Sequence, residues 1–236
     1  MSLLTSLYAY YKMEGNANDE LGSHNGSLSG TYNFGLSYGK ILQGFNTGGA
    51  SGYAEIGSVS DFTFIQNTAE FTISLWMKLA NYTIANRYPV GNTGTSSQKG
   101  FWLGNNAGTG RLSVVRGDSI ASSLINASYT NLFTDNNWHH IVVTASYAAN
   151  QVYFYKDGVQ LTPTSGATVG TLSSGNSTNP TRFGYSAAGA WIGDMDELGF
   201  WSRALTPSEV TELYNGGAGL TYPFTASDTS KFLVMF

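Results

Sequence analysis

Apolar and polar residues alternate most clearly between Phe71 and Leu79. Phe71, Ile73, Leu75 and Met77 occupy one set of alternate positions, and Thr72, Ser74, Trp76 and Lys78 occupy the other. Successive side chains of a β-strand point to opposite faces, so a period of two indicates a strand with one buried face. This segment therefore predicts a half-buried β-strand.

Similar β-rich runs recur along the chain, separated by turns of Gly, Asn and Ser. The predicted strands are Leu7–Met13, Ala54–Ile56, Phe71–Leu79, Gly100–Leu103, Arg111–Arg116, Trp138–Tyr147, Gln151–Lys156, Arg182–Tyr185 and Trp191–Trp201. Asp157 and Gly158 form a hairpin signal, because both tolerate positive φ angles. Many short strands with almost no helix predict an all-β fold, either an antiparallel sandwich or a jelly roll.

One segment departs from the pattern of strands. Thr206 to Glu209 combines an N-cap, a proline at the first helical position and a glutamate at the capping-box position. Apolar residues up to Tyr214 then fall on one face, and Gly216 ends the segment. We expect one short C-terminal helix whose apolar face lies on the sandwich.

Composition excludes several classes of protein. Hydrophobic residues make up 42% of the chain, enough for a core, but charged residues make up only 11%, less than half the usual share. The net charge of −4 argues against a nucleic-acid partner, which needs clustered Lys and Arg. No apolar run approaches the roughly 18 residues that span a membrane. The chain has no cysteine, and Met1 to Tyr11 lacks the features of a signal peptide.

Candidate catalytic groups are few. Asp194 and Asp196 share one face of a predicted strand, and paired carboxylates are what glycoside hydrolysis requires. The Glu-x-Asp-x-x-Glu spacing of sandwich-fold glycanases is absent, so a glycoside hydrolase is the alternative and not the main reading. His139 and His140 are adjacent and point to opposite faces of a strand, so they cannot ligate one metal together.

An acidic, Asn- and Gly-rich loop runs from Glu14 to Gly26. Calcium prefers six to eight oxygen ligands from carboxylates, amides and backbone carbonyls, and one loop can supply only some of them. The segment Gly193–Gly199 at the other end of the chain is also acidic. Spacing alone leaves two readings of the loop, a partial calcium site or a solvated turn with ordinary Asx caps.

Longer motifs resemble a known family. They are Tyr10–Gly26, Phe71–Met77, Asn137–Val143, Val152–Val159, Ile192–Trp201 and Ser202–Val210, continuing through Leu213–Gly216. In order and spacing, these motifs resemble laminin-G-like domains of the concanavalin A-like lectin/glucanase class. The resemblance covers roughly Leu4 to Tyr222, nearly the whole chain.

The resemblance implies a two-sheet antiparallel jelly roll with one short C-terminal helix. It also implies a binding or adhesion module, because most such domains bind glycans or proteins, although the class includes glycanases. Relatives of this kind often hold a structural calcium ion between the opening loop and the last strand. Carried over by position, the ligands are Asp19, Gly22, Asn25 and Asp196, with His24 departing from an oxygen-only shell.

Aromatic and arginine side chains near strand ends are the candidates for ligand binding. A sugar ring stacks its apolar face on an aromatic ring, while arginine reaches its hydroxyls. The expected ligand-binding residues are Trp76, Trp102, Arg116, Tyr185 and Trp191.

The resulting hypothesis is a non-enzymatic module that recognises a glycan or another cell-surface ligand. Residues 1–222 form the domain and 223–236 a C-terminal tail, whose apolar end either packs back or docks to a partner. With no signal peptide and no cysteine, the favoured setting is extracellular or the surface of a phage virion, as a decoration or fibre protein. Self-association is left open, and neither membrane insertion nor nucleic-acid binding is expected.

Overall fold

The computed structural model describes most of the chain in detail. The described residues are 2–49, 51–84, 87–93, 99–106, 109–115, 123–130, 132–166, 168–170, 176–186 and 189–225. The predicted ligand residue Arg116 and the end of the predicted tail, 226–236, lie outside them.

Strands account for nearly all regular structure in the described residues. They are β1 (Leu7–Tyr11), β2 (Gly26–Ser29), β3 (Asn33–Gly35), β4 (Gly44–Asn46), β5 (Tyr53–Ile56), β6 (Phe71–Leu79), β7 (Arg87–Gly91), β8 (Gly100–Asn106), β9 (Thr109–Val115), β10 (Ser123–Tyr129), β11 (His139–Ser146), β12 (Gln151–Lys156), β13 (Val159–Gln160), β14 (Pro163–Ser165), β15 (Thr181–Phe183), β16 (Tyr185–Ser186), β17 (Gly189–Ala190) and β18 (Gly193–Trp201). Two α-helices, α1 (Phe64–Asn67) and α2 (Pro207–Tyr214), and two 3₁₀ turns, Leu36–Tyr38 and Asn215–Gly217, complete the fold of the described residues.

The strands form two antiparallel sheets packed as a sandwich, which confirms the predicted fold class. Sheet A has the order β13-β12-β11-β6-β18-β4-β3, with β1 also pairing with β18. Because β6 occupies one edge of β18, β1 and β4 share its other edge. Sheet B has the order β14-β10-β9-β8-β7-β15-β5-β2, and the short hairpin β16–β17 joins it beside β7.

The main core lies between the sheets. Its largest fully buried aromatic side chains are Tyr11, Phe45, Phe62, Phe71, Phe101, Tyr129, Phe154, Phe183 and Trp191. Interior side chains are close-packed, so these rings set the spacing and the register of the two sheets. The core leaves the outer face of each sheet as the place where a site can form.

The outer face of sheet A carries a second, smaller core. There the apolar face of α2 packs onto the sheet and the start of the chain. The buried residues of this cluster are Leu3, Tyr10, Val142, Tyr155, Trp201, Leu205, Val210 and Leu213. For this reason the prediction that β6 is half-buried was wrong: Thr72, Ser74 and Trp76 on its outer face are as buried as Phe71 on its inner face. The alternation reports which face of the sheet a side chain takes, not whether that face is covered.

The predicted C-terminal helix is confirmed with its N-terminal capping box, and it ends one residue before the predicted Gly216. The Thr206 side chain accepts the N–H of Glu209, and the Glu209 side chain accepts the N–H of Thr206. Asn215 ends α2 in the left-handed conformation. The sequence did not predict α1, which is a single turn.

The end of the described chain packs onto this outer layer. The ring of Phe224 lies 5.1 Å from that of Tyr10 and 6.1 Å from that of Trp201, measured between centroids. The packed chain therefore reaches at least Phe224, two residues past the predicted domain boundary. Neither helix in the described part of the chain is long and apolar enough to cross a membrane.

Candidate functional site

Asp19, from the predicted calcium site, is buried in the loop between β1 and β2. Its Oδ1 accepts the backbone N–H groups of Tyr10, at 2.9 Å, and Leu21, at 3.2 Å. Its Oδ2 accepts those of Ser23 and His24, both at 3.1 Å, and lies 3.3 Å from the His24 ring nitrogen. Both oxygens are therefore engaged by N–H donors, and the carboxylate organises the loop rather than facing a cation.

The other loop residues of the predicted shell also serve the loop. Asn25 Oδ1 accepts the N–H of Asp19 at 3.0 Å. Gly22 donates its N–H to the Asp19 carbonyl at 2.8 Å, with a positive φ of 80°. These contacts are those of a tight Asx-type turn, in which side-chain oxygens replace backbone acceptors.

Strand β1 separates this loop from the last strand. Tyr10 gives its N–H to Asp19 and accepts the N–H of Glu20, so the loop lies along one edge of β1. Tyr10 faces Gly199 of β18 across the opposite edge. Asp19 therefore lies along one edge of β1, while Asp196 belongs to β18, which pairs with the opposite edge.

Asp196 and the adjacent Glu197 form a buried acidic pair on the outer face of sheet A. Glu197 adopts a positive φ of 52° at a β-bulge of β18. Asp196 Oδ2 accepts the N–H groups of Lys40 and Ile41 at 2.8 Å each. Asp196 Oδ1 and both Glu197 oxygens have no hydrogen bond of normal geometry within the described chain, although the Tyr10 and Thr221 hydroxyls lie close enough to Glu197 to act on its pKa.

Burial governs the ionisation of this pair. Burial and the Glu197 charge raise the pKa of Asp196 to about 9, and burial raises the pKa of Glu197 to about 7. A buried carboxylate without donors favours a proton or a cation beside it. Even so, no three His, Asp or Glu side chains in the described ranges are arranged to hold a metal ion.

The adjacent histidines have different surroundings, as their opposite directions on the strand predict. His139 bridges Asp157 and Asp135, whose oxygens lie 2.7 and 3.0 Å from its two ring nitrogens. Burial opposes protonation there, but the two carboxylates outweigh it and raise the pKa of His139. His140 is buried against Ser74, and burial lowers its pKa to about 3.

Trp76 is not available to a ligand in this structure. It is 3% exposed and packs in one cluster with the rings of His140, at 5.1 Å, and Tyr214, at 5.9 Å, which lie 6.3 Å from each other. The Lys40 ammonium sits 4.6 Å from its ring centroid. The helix that the sequence placed on the sandwich covers the face on which Trp76 lies.

The remaining predicted ligand residues fall in three settings. Trp191 is fully buried in the core between the sheets, beside Phe133. Tyr185 lies on β16, and its side chain is outside what the structure describes. Trp102 lies on the outer face of sheet B, and it is the one of these residues around which polar groups converge.

On that outer face, Trp102 lies beneath a group of side chains, Tyr88, Arg111 and Asn126, which together are called the polar constellation here. The Arg111 guanidinium lies 5.5 Å from the Trp102 ring centroid, and Tyr88 packs edge-on against the same ring at 4.8 Å. Asn126 Oδ1 accepts hydrogen bonds from Arg111 Nε at 2.9 Å and Nη2 at 2.6 Å. Gly104 makes the arrangement possible, since a Cβ there would meet the Tyr88 ring at 2.3 Å.

Strand register brings these side chains together. The backbone register places Asn126, Ser113, Trp102, Gly91, Arg182 and Glu55 in one row across five strand pairings. At the far end of the row, Arg182 pairs with Glu55 and covers the Tyr53 ring at 4.9 Å. Arg111 lies one row away, opposite Gly104.

Arg111 carries an unbalanced charge. It contacts Asn126 and Trp102 but no carboxylate within the described chain, whereas Arg182 is neutralised by Glu55. A guanidinium held by an amide and an indole is fixed in orientation while its charge is not cancelled. It can donate further hydrogen bonds to a ligand.

Sequence reasoning missed Arg111 and Asn126 as site residues. Arg111 begins a predicted strand in which Leu112 and Val114 alternate with polar residues, so its outward direction was available from the pattern. Asn126 lies on β10, which was not predicted as a strand. Its pairing with β9 depends on backbone register that no short motif encodes.

Comparison with protein families gives one match. The family model described as the concanavalin A-like lectin/glucanases superfamily, of laminin-G type, matches residues 47–211, well over half of the chain. No curated protein matches the chain.

Solved structures share the fold at low sequence identity. Domain 4 of AbnA, an extracellular arabinanase from Geobacillus stearothermophilus solved with arabinotriose, has a TM-score of 0.61 at 17% identity, covering 88% of this chain and 97% of that one. The binding domain of botulinum neurotoxin DC, solved with rat synaptotagmin II, gives 0.64 at 14%, covering 91% of this chain and 52% of that one. A Ruminococcus gnavus sialidase CBM40 bound to sialyllactose gives 0.51 at 13%, covering 62% and 83%. The chain thus spans about half the length of the toxin domain.

Proposed function

Because the chain belongs to the concanavalin A-like lectin/glucanase superfamily, we propose that it is a non-enzymatic module that binds glycans through the outer face of sheet B. The observation that carries the proposal is Arg111, a guanidinium fixed over Trp102 by Asn126 with no acidic partner in the described residues. A fixed, unneutralised donor on a sheet face suits a ligand rich in oxygen acceptors.

The chemistry of the constellation matches a sugar. Arg111 donates to hydroxyl, ring or carboxylate oxygens, and guanidinium donors are held in a rigid plane. The Asn126 amide points its oxygen at Arg111, which leaves its Nδ2 protons for a ligand. The Trp102 indole N–H also lacks a partner in the described chain, although its ring is 3% exposed. Arg111 and Asn126 thus offer two neighbouring donor groups on the sheet face.

The structural neighbours support glycan or receptor binding as the general function. One was solved with arabinotriose, another with sialyllactose and a third with a protein receptor. At 13 to 17% identity they share the fold with this chain, and the ligand class of this chain is our proposal.

Glycan-array screening followed by calorimetry on the best ligand tests the proposal. We expect Arg111→Ala to weaken binding about tenfold or more, because a hydrogen bond to a charged group contributes about 1.5 to 3 kcal/mol. Asn126→Ala should weaken it less, since it releases Arg111 without removing it. Lys12→Met, which removes one charge from a partly exposed ion pair with Glu20, is the matched control and should bind normally.

Two results would contradict the proposal. Binding that survives Arg111→Ala unchanged places the site elsewhere. Release of reducing sugar from a bound glycan makes the protein an enzyme, and the alternative of a glycoside hydrolase then holds.

The arrangement of Asp194 and Asp196 favours the binding module over that alternative. Hydrolysis needs two carboxylates about 5 to 10 Å apart that both face the sugar bond. Asp196 is fully buried, so of the two only Asp194, which lies between Lys78 and Asn46, reaches the surface. The pair therefore does not face one open cleft.

Calcium binding stays a proposal, and the hydrogen bonds described above restrict which oxygens are open to the ion. The oxygens that suit a cation are Asp196 Oδ1 and the two of Glu197, which have no hydrogen-bond donor at normal geometry in the described chain, and not those of Asp19. We expect EDTA to lower the melting temperature of the wild type, measured by calorimetry, and to leave that of Asp196→Asn unchanged. An identical wild-type melting curve with calcium and with EDTA would remove the metal from the proposal.

The proposed location of the protein follows from its proposed ligand. A glycan binder of this kind belongs outside the cell or on a virion surface, and we keep both as proposals. Docking to a particle through the C-terminal tail also stays a prediction, because residues 226–236 lie outside the described chain.

A further inference from the structure

A cavity of about 270 Å³ opens on the outer face of sheet A, away from the region that α2 covers. It lies where β6 ends and β18 begins, next to β4 and the turn that precedes it. Its polar lining consists chiefly of Tyr38, Asn46, Lys78 and Asp194. It is on the opposite sheet from Arg111, so it is separate from the site proposed above.

The strand register builds the floor of this cavity. Asp194 pairs with Lys78 of β6 on one side and with Asn46 of β4 on the other. Side chains opposite one another on one face of an antiparallel sheet are close neighbours. An amide, a carboxylate and an ammonium group therefore stand in one row at the end of the sheet.

Hydrogen bonds fix the orientation of the carboxylate. Asn46 Nδ2 donates to Asp194 Oδ1 at 2.6 Å, and Asn46 is itself held by the N–H of Gly48, which binds its Oδ1 at 2.8 Å. Lys78 Nζ lies 3.3 Å from Asp194 Oδ2. Each carboxylate oxygen has a second lone pair available, since a carboxylate can accept about four hydrogen bonds.

Donors and acceptors remain for a ligand. The Lys78 ammonium has three protons and, among the described residues, one ion-pair partner, and its side chain is 38% exposed while that of Asp194 is 9% exposed. An acceptor beside a donor matches two neighbouring hydroxyls of a sugar. One hydroxyl donates to Asp194 while the next accepts from Lys78.

The volume of the cavity and the charges that line it limit the class of ligand that it can hold. A cavity of about 270 Å³ lies just under the roughly 300 Å³ at which pockets for drug-sized ligands begin, so it holds one sugar unit and not a chain of them. The partly exposed Tyr38 lines the cavity, and an aromatic ring can offer a face for the apolar side of a pyranose. The charges of Lys78 and Asp194 cancel, which favours a neutral sugar over an acidic one.

We propose that this cavity is a second carbohydrate site, which binds the vicinal diol of a neutral monosaccharide unit between Asp194 and Lys78. With Arg111 on the other sheet, the module then carries two sites that face in different directions. One protein molecule can thus engage two glycan chains. Simultaneous engagement raises overall avidity without any new contact.

Titration of the isotopically labelled full chain with methyl β-galactoside, methyl α-mannoside and xylose, followed by amide NMR, tests the site. We expect shift changes at Asn46, Gly193 and Asp194 with at least one of the three sugars. A deoxy analogue that lacks one of the two bound hydroxyls should bind about tenfold more weakly. Sugars bearing a carboxylate should not displace the neutral ligand.

Variants of the two charged residues test whether the row of side chains is responsible for sugar binding. Asp194→Asn and Lys78→Met preserve side-chain size and should each weaken binding about tenfold, with melting curves confirming that the variants are folded. Lys12→Met is the matched control from an ion pair elsewhere on sheet A and should bind as the wild type. Arg111→Ala should also leave this binding intact, which separates a failure of this site from a failure of the site on sheet B.

The proposal is overturned by any of three results. None of the three sugars binds, the shifted amides lie away from the cavity, or Asp194→Asn binds with unchanged affinity. In each case the row of Asn46, Asp194 and Lys78 is a structural feature of the sheet end and not a binding site.

Discussion

Replacing Asp19 with alanine will lower the free energy of unfolding by about 3 kcal/mol. Four backbone N–H groups and the His24 ring converge on its two oxygens, and its side chain is fully covered. Removing the carboxylate leaves these donors without an acceptor in a partly buried loop. For a chain of this length the loss corresponds to a fall in melting temperature of roughly 6 to 12 °C.

Chemical denaturation of wild type, Asp19→Ala and Asp135→Ala measures the effect. Asp135 is the matched control, since it also accepts N–H donors but its side chain is 43% exposed. We expect its loss to cost less than about 1 kcal/mol. If the Asp19 variant is destabilised only when calcium is present and not in EDTA, Asp19 is a metal ligand after all and our reading of the loop is wrong.

Replacing Glu209 with alanine will detach α2 from the N-terminal segment and cost about 2 to 4 kcal/mol. Arg203 donates to both Glu209 oxygens, at 2.8 and 2.6 Å, and the N–H of Thr206 donates to one of them at 2.9 Å. Arg203 also holds the carbonyls of Ser2 and Thr5. One buried carboxylate thus joins the helix cap to the start of the chain.

The pH dependence of this contribution has a definite sign. Burial disfavours the charge of Glu209, but the hydrogen bonds from Arg203 and Thr206 outweigh it and hold the pKa at about 2. The stabilisation is therefore complete above the ordinary glutamate pKa and is lost as the pH falls towards 2. Urea denaturation at neutral pH and near pH 2 should show the difference between wild type and variant shrinking at acid pH.

Glu212→Ala is the matched control, because Glu212 lies exposed on the same helix. We expect it to change stability by less than about 0.5 kcal/mol at either pH. Equal losses from Glu209→Ala and Glu212→Ala would show that helix propensity, and not the buried carboxylate, accounts for the effect.

Local patterns predicted most of the elements correctly. The boundaries of β6 and β12 agree with their predicted ranges, and the capping box of α2 was read directly from Thr206 and Glu209. The Asp157-Gly158 turn joins β12 to β13 with positive φ at both residues. These features depend on neighbours within a few residues, which is why short stretches of sequence carry them.

Elements without a strong local signal were missed. β7 contains a proline and a glycine, and β10 places Leu124 and Ile125 side by side before Asn and Ser interrupt its apolar residues, so neither shows a clear period. Both are strands because long-range pairing satisfies their backbone groups. The same reason explains why the polar constellation at Arg111 was not foreseen, since Asn126 comes from β10.

The sequence by itself determined the family, the two-sheet sandwich and the capped helix, because alternation, turns and caps are local and the family motifs span the chain. Only the tertiary structure decided which polar and aromatic groups are free to bind. It buried Trp76 under α2 and Trp191 between the sheets, and it used Asp19 to hold a loop. Which groups converge depends on strand register and on what covers each sheet face, and both are set by contacts between residues far apart in the chain.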